Sequence, residues 1–231
     1  MMTLVKKLLA KFQLDTFIRR FAGKYFVGQR FFMKHPPYAS SQQRYITENI
    51  DPVRYSSIAL AIRTILQDQI PDNFAEVGVY RGDLSRFIHA IAPQKNLFLF
   101  DTFEGFPAEY TDNGDGRFKD TGIDLVKANI GNLDNVIIKP GIFPDTARGL
   151  EQELFAFVML DLDTYKSTLA GLDFFYPRLS PTGYLFVHDY HSLESGVKLA
   201  VDEFLKSKLE TRVEIPDVLG SIVIRKLSQH L

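Results

Sequence analysis

Glu76-Val77-Gly78-Val79-Tyr80-Arg81-Gly82 lies between a short apolar run, Phe74-Ala75, and a helical pattern of Leu84, Phe87, Ile88 and Ile91. That order predicts a strand, a tight glycine turn and a helix. Gly78 permits positive φ and lets backbone approach a ligand with no Cβ in the way. Gly82 opens the helix, whose free N–H groups attract negative charge. Glu76 stands at the end of the strand, where a carboxylate can accept hydrogen bonds or pair with a ligand ammonium. Tyr80 occupies the place of the middle glycine of a Gly-x-Gly-x-x-Gly loop, which weakens a dinucleotide reading. A purely structural strand-to-helix turn explains this stretch equally well.

The stretches that follow decide between them. Asn96-Leu97-Phe98-Leu99-Phe100-Asp101 is a continuous apolar run closed by an acid, as expected of a buried parallel strand. Asp101 follows Gly82 by about 20 residues, the distance at which a second-strand acid meets a ribose. Ile123–Ile130 reads as a helix and Val136–Lys139 as a third strand. Gly141-Ile142-Phe143 then offers an apolar wall with an aromatic, suited to an adenine, although Phe143 suits core packing as well. Phe155–Asp161 is a fourth buried strand ending in an acid, with a helix over Lys166–Tyr176. Pro177 to Gly183 reads as a turn. Tyr184–Val187 is a fifth strand, ending in His188-Asp189-Tyr190. Leu193–Leu209 is amphipathic, and Val213–Ile215 with Ser221–Arg225 reads as a terminal hairpin.

Strands and helices thus alternate from residue 74 to 209, which predicts an α/β fold with a doubly wound, mostly parallel sheet. Ligands bind such sheets at the carboxyl ends of the strands. Glu76, Asp101, Asp161 and His188/Asp189 all fall at such ends, and buried carboxylates are costly unless paired. The long polar segment from Thr102 to Asp120 has the length of a functional loop.

The rest of the chain bounds the answer. Of 231 residues, 45% are hydrophobic and 24% charged, which fits a globular core rather than disorder. A net charge of −1 gives no global field to draw in nucleic acid. Cysteine is absent, which excludes disulfides, thiolate metal sites and a cysteine nucleophile. An intracellular, cytoplasmic setting is expected, with no membrane span or signal peptide visible. Residues 1–35 stand apart: Lys6, Lys7, Lys11, Arg19, Arg20, Lys24, Arg30 and Lys34 face a single acid, Asp15. Leu4, Val5, Leu8, Leu9 and Phe12 keep helical spacing opposite the lysines. We read residues 1–50 as a helical extension or lid and 51–231 as the main domain. Contact of residues 1–35 with a membrane surface, or their packing in a homodimer, are the alternatives.

In order, these blocks resemble the macrocin O-methyltransferase (TylF) family. They are the 76–82 loop, Asp101-Thr102-Phe103-Glu104-Gly105-Phe106-Pro107, Asp161-Leu162-Asp163-Thr164-Tyr165-Lys166-Ser167-Thr168, Tyr176-Pro177-Arg178-Leu179-Ser180-Pro181, and His188-Asp189-Tyr190 followed by Ala200-Val201-Asp202-Glu203-Phe204. The resemblance covers about residues 50–210, and the first block also resembles catechol O-methyltransferases. It implies a class I methyltransferase with a seven-stranded sheet. It also implies use of S-adenosylmethionine (SAM) and transfer of a methyl group to a hydroxyl, on a sugar or glycosylated natural product, with help from magnesium or another divalent cation. It implies cofactor-binding roles for Glu76, Gly78, Gly82 and Asp101; Tyr80, Thr102, Gly141, Ile142, Phe143 and Asp161 complete the expected cofactor-binding set. Its metal ligands fall on Asp161 and Asp189, and Asp163 matches the family's second acid, a candidate base.

Two positions depart from the family's pattern. Leu162 replaces a glycine, and His188 replaces the first acid of an Asp-Asp-Tyr segment. Magnesium prefers oxygen ligands, whereas imidazole suits manganese, iron, nickel or zinc. Three readings of His188 stay open: a metal ligand with altered metal choice, the catalytic base of a metal-free enzyme, or a sign of lost activity. The candidate catalytic residues are Asp163, His188 and, third, His191. Asp163 could instead cap the helix after it. Two other functions compete: a membrane-associated, non-catalytic binding protein on the same scaffold, and an NAD-dependent oxidoreductase. The latter leaves the acids after the fourth and fifth strands unexplained.

Overall fold

The computed structural model describes residues 44–46, 49–106, 117–192 and 196–228. The chain divides into two compact units, Met1–Pro52 and Val53–Leu231. In the first, description is confined to a helical turn at 44–46 and to residues 49–52. The basic segment 1–35, and the lid or membrane contact expected of it, lie outside the described residues.

The second unit is built on one seven-stranded sheet. Its elements in order are α1 (Pro52–Gln67), β1 (Asn73–Val77), α2 (Asp83–Ile91), β2 (Leu97–Asp101), α3 (Ile123–Ile130), β3 (Val136–Pro140), a 3-10 turn (Asp145–Ala147), β4 (Phe155–Leu160), α4 (Tyr165–Phe175), β5 (Leu179–Val187), α5 (Val197–Leu205), β6 (Arg212–Ile215) and β7 (Ser221–Arg225). The strand order is β3-β2-β1-β4-β5-β7-β6. β1 through β5 pair in parallel, whereas β7 runs antiparallel to both β5 and β6. The reversal of order between β1 and β4 makes the switch point at which open α/β sheets bind ligands. The antiparallel β7 between β5 and β6 separates this sheet from the six-stranded parallel order of dinucleotide-binding folds, and the oxidoreductase expectation falls with it.

The two faces of the sheet follow the alternation of side chains along each strand. Ala75 and Val77 of β1 join Phe98, Phe100, Leu160, Leu185 and Val187 in a core closed by Leu172 and Phe175 of α4 and Val197 and Val201 of α5. Glu76, between them in sequence, faces the other way and meets Ser85 of α2. Tyr55 of α1 packs on Phe87 of α2, with ring centroids 4.9 Å apart.

Two expectations are corrected. β5 starts at Leu179, not Tyr184, because Leu179 pairs with Phe155 before the register shifts and Tyr184 pairs with Phe157. Ser180-Pro181-Thr182-Gly183 bulges between these pairs, with Thr182 at φ 63°, so residues typical of a turn lie inside a strand. The helix expected over Leu193–Leu209 is shorter, running from Val197 to Leu205, and residues 193–195 lie outside the described set.

Candidate active site

The carboxyl ends of β1, β2, β4 and β5 open into a cavity of about 390 Å³. Its first wall is the loop after β1. A Cβ on Gly78, whose φ is 90°, would lie 1.9 Å from the carbonyl oxygen of Asp161. Only glycine lets the two strand ends approach this closely, so Gly78 brings the first loop against the acid after β4. Gly82, at φ 78°, caps α2, and a Cβ there would meet Val126 at 2.9 Å. Tyr80 itself adopts φ 52°, a conformation in which glycine is the easier residue.

Asp101 holds this loop in place. Its Oδ2 accepts from the N–H groups of Val79 and Tyr80 at 2.7 and 3.0 Å, and its Oδ1 from Phe103 N–H at 2.7 Å. With three backbone donors on two oxygens, the carboxylate keeps acceptor capacity for a ligand hydroxyl. Asp101, Thr102, Gly141, Ile142 and Phe143 line the cavity on the β2 and β3 side, with Gly78 and Tyr80 of the loop after β1. Phe143 lines the cavity and also packs in the core, stacking on Phe175 at 5.6 Å.

Asp161, Asp163, His188 and Asp189 line the cavity as well. Nε2–H of His188 donates to the Val218 carbonyl at 2.8 Å, which fixes the proton on that nitrogen because a carbonyl only accepts. The other nitrogen, Nδ1, faces Asp161 Oδ1 at 3.2 Å and Asp189 Oδ1 at 3.0 Å. Burial opposes a charge on this ring, but the two carboxylates outweigh it and raise the pKa to about 10. Arg54 of α1 donates from Nη1 to the second oxygen of Asp161, Oδ2, at 3.1 Å.

Asp163 lies beside this group at φ 59°. Burial, then the hydrogen bond with Asp189 and the charges of Asp161 and Asp189, push its carboxyl well above the usual range. Asp189 moves down despite burial, because His188 and Asp163 hydrogen-bond to it. The proton of this pair therefore sits on Asp163. The cap of α4 is Thr164, whose Oγ1 accepts from Ser167 N–H at 3.3 Å, so Asp163 is not used up in capping. The positive φ of the turn falls on Asp163, so leucine replaces the family's glycine at 162 without backbone strain.

Three expected site residues lie off the cavity lining. Glu76 is buried and accepts from Ser85 Oγ at 2.5 Å, and burial pushes its carboxyl up to about 8. Gly82 acts through the packing of α2. His191 is half exposed and pairs with Glu214 at 3.1 Å. Conversely, Arg54, Phe106, Phe118, Ser167 and Leu219 line the cavity and were not singled out from sequence. For Arg54 no signal existed, because its partner Asp161 is 107 positions away. The expected hairpin held a weak signal for Leu219: its loop, Pro216 to Gly220, folds back on the end of β5 through Gly220 and Leu219 carbonyls that accept from Tyr190 and His191 N–H.

One ligand atom from each of Asp161, His188 and Asp189 lies within 4.8 Å of the other two, close enough to share a cation. The donor set does not fit magnesium. One donor is a nitrogen where magnesium takes oxygen, and Asp161 already carries a guanidinium. For SAM the fit is better: the cavity joins a glycine-lined loop, a strand-end acid with spare acceptor capacity and an apolar wall.

The sheet order and the placement of this site define a class I methyltransferase fold. The chain belongs to the macrocin O-methyltransferase (TylF) family, whose model matches residues 46–223. A 4'-O-methyltransferase of 8-demethyl-8-(2,3-dimethoxy-alpha-L-rhamnosyl)-tetracenomycin-C from Streptomyces olivaceus is 31% identical over 156 residues, covering 59% of this chain and 60% of that protein. Mycinamicin III 3''-O-methyltransferase from Micromonospora griseorubida is 27% identical over 158 residues, covering 59% of this chain and 62% of its own. The matches thus span about three fifths of these relatives. Among solved structures, the O-methyltransferase NovP superposes with a TM-score of 0.66 at 23% identity, over 94% of this chain and 99% of that one.

Proposed function

We propose that this protein is a SAM-dependent O-methyltransferase acting on a sugar hydroxyl of a glycosylated natural product. The observation that carries the reading is one cavity lined from the β2 side by Asp101 and from the β4 and β5 side by Asp161, Asp163, His188 and Asp189. The sugar acceptor is supported by the relatives named above. SAM, when bound, supplies an electrophilic methyl group: the S–CH3 bond breaks, an O–CH3 bond forms, and S-adenosylhomocysteine (SAH) leaves.

Asp101 would hold a ribose hydroxyl with the acceptor capacity left by its three backbone donors. Gly141, Ile142 and Phe143 would flank the adenine. On the β4 and β5 side, a residue must take the proton from the acceptor hydroxyl. His188 is a poor candidate, because Nε2–H is committed to Val218 and Nδ1 is locked between two carboxylates. Asp163 lines the cavity, and its raised pKa makes its ionised form a stronger base than an ordinary carboxylate. We assign the proton to Asp163 and the placing of Asp163 to Asp189. His191 takes no part, and Glu76 acts from behind the loop through Ser85. Magnesium assistance forms no part of the proposal, given the donor set.

No helix among the described residues is long and apolar enough to cross a membrane. We keep a cytoplasmic setting within the proposal, together with a lid role for residues 1–50. The test is to incubate the protein with methyl-labelled SAM and a panel of rhamnosylated aglycones and free nucleotide sugars. Label on a sugar hydroxyl is expected. SAH-competent protein that labels only non-sugar hydroxyls, or nothing in the panel, contradicts the acceptor class.

A further inference from the structure

The acids that the family resemblance assigns to a divalent ion are already attended by a fixed cation. Arg54 lies on α1, ahead of the sheet, and lines the same cavity as Asp161. Its Nη1 donates to Asp161 Oδ2 at 3.1 Å, with both side chains largely withdrawn from solvent. Arginine keeps its charge at every accessible pH and matches carboxylate geometry. The remaining oxygen of Asp161 faces an imidazole nitrogen, not a further carboxylate. The third donor, Asp189 Oδ1, faces the same nitrogen at 3.0 Å. A hard divalent ion placed among these atoms would therefore find two carboxylate oxygens and one nitrogen, with a guanidinium on the far side of one carboxylate. Magnesium demands a near-ideal octahedron of oxygens and gives up its water reluctantly.

We propose that Arg54 supplies the positive charge at Asp161 that a divalent ion would otherwise bring, and that this centre works without a metal. In this arrangement Arg54 is a positioning residue. It neutralises Asp161 beside the acceptor end of the cavity and fixes the carboxylate against which His188 and, through Asp189, Asp163 are arranged. The charge on the arginine does not depend on pH or metal supply. Its catalytic consequence rests on the methyl-transfer reading, but the metal measurement stands by itself.

The experiment is thermal melting and titration calorimetry of the full chain with SAH, in magnesium chloride, manganese chloride or EDTA. Wild type is expected to melt at one temperature in all three, with no saturable heat for either metal. Arg54→Gln keeps a hydrogen-bond donor for Asp161 and removes the charge. It is expected to acquire a rise in melting temperature with manganese, which tolerates the imidazole nitrogen, and Arg54→Lys is expected not to show it. Retained SAH binding shows that each variant is folded, and Arg54→Met replaces the glutamine variant if that one fails to fold. A wild-type rise with magnesium or manganese that disappears in Asp189→Asn overturns the proposal. So does a charge-free Arg54 variant as indifferent to manganese as wild type. Failure of SAH to stabilise wild type would count against methyl transfer and leave the metal result readable.

Discussion

At Asp163 the chemistry turns on which carboxylate holds the proton. Burial and the negative neighbours keep it on Asp163, while His188 and Asp163 together hold Asp189 ionised. The base form of Asp163 therefore grows as pH rises, and kcat is expected to climb toward the alkaline side of neutrality. Asp163→Asn should lower kcat by about 10²–10⁴-fold, the usual contribution of a positioned base, with SAH affinity nearly unchanged. A flat pH–rate profile in wild type would argue against this assignment. Glu76 gives a second prediction, on stability. Its folded pKa, about 8, lies above the ordinary value of 4.5, so the folded state binds more protons between those values. Stability contributed by the protonated form is complete below about pH 4.5 and is lost as pH rises through about 8. Melting temperature should thus fall over that window, and Glu76→Gln, which keeps an acceptor for Ser85, should flatten the curve. His89 has the opposite sign. Burial lowers its pKa, so the unfolded chain takes up the proton first. Its contribution is lost as pH falls below about 6.5, and His89→Leu should lessen the acid sensitivity of the melt.

Among the elements, the β1 turn is the most exacting. Gly78→Ala would place a methyl 1.9 Å from the Asp161 carbonyl at a φ of 90°. Backbone strain alone costs roughly 1–3 kcal/mol, and the clash adds to it. At about 2–4 °C per kcal/mol for a chain of this size, the melting temperature should drop by at least several degrees. SAH binding should weaken too, because the same residue sets the loop against Asp161; an alanine variant with wild-type melting and binding would contradict the reading. The two strands most legible in sequence share one property: a continuous apolar run closed by an acid, as in Leu97–Asp101 and Phe155–Asp161. Burial on both faces forces that pattern on a central parallel strand. β5 was legible only from Tyr184 onward, because Ser180-Pro181-Thr182-Gly183 carries turn chemistry and a bulge absorbs it within the strand. Within the site, the strand-end acids could be read from their positions, whereas their pairing could not. The locking of His188 by Val218 and the reach of Arg54 to Asp161 depend on contacts between distant elements, which leave no local pattern.

At the scale of the whole molecule, the order of the sheet places four strand ends around one cavity, and residues on both sides of the switch point contribute to it. A net charge of −1 gives no long-range field to steer an acceptor, so selectivity must come from close contacts. Phe106, Phe118 and Leu219 line the cavity and are the residues expected to supply them. Substitution of Leu219 by serine is expected to change the KM for acceptor more than that for SAM.

The central claim is that the cavity is a SAM site. The most direct test is the melting temperature of the full chain with SAH, with NAD and with neither. SAH at about 100 times its Kd should stabilise the fold by about 2.7 kcal/mol, a rise of roughly 5–10 °C for a chain of this size, and Asp101→Ala should abolish it. NAD should produce no rise. An unchanged melting temperature at millimolar SAH, or an equal rise with NAD, would contradict the account.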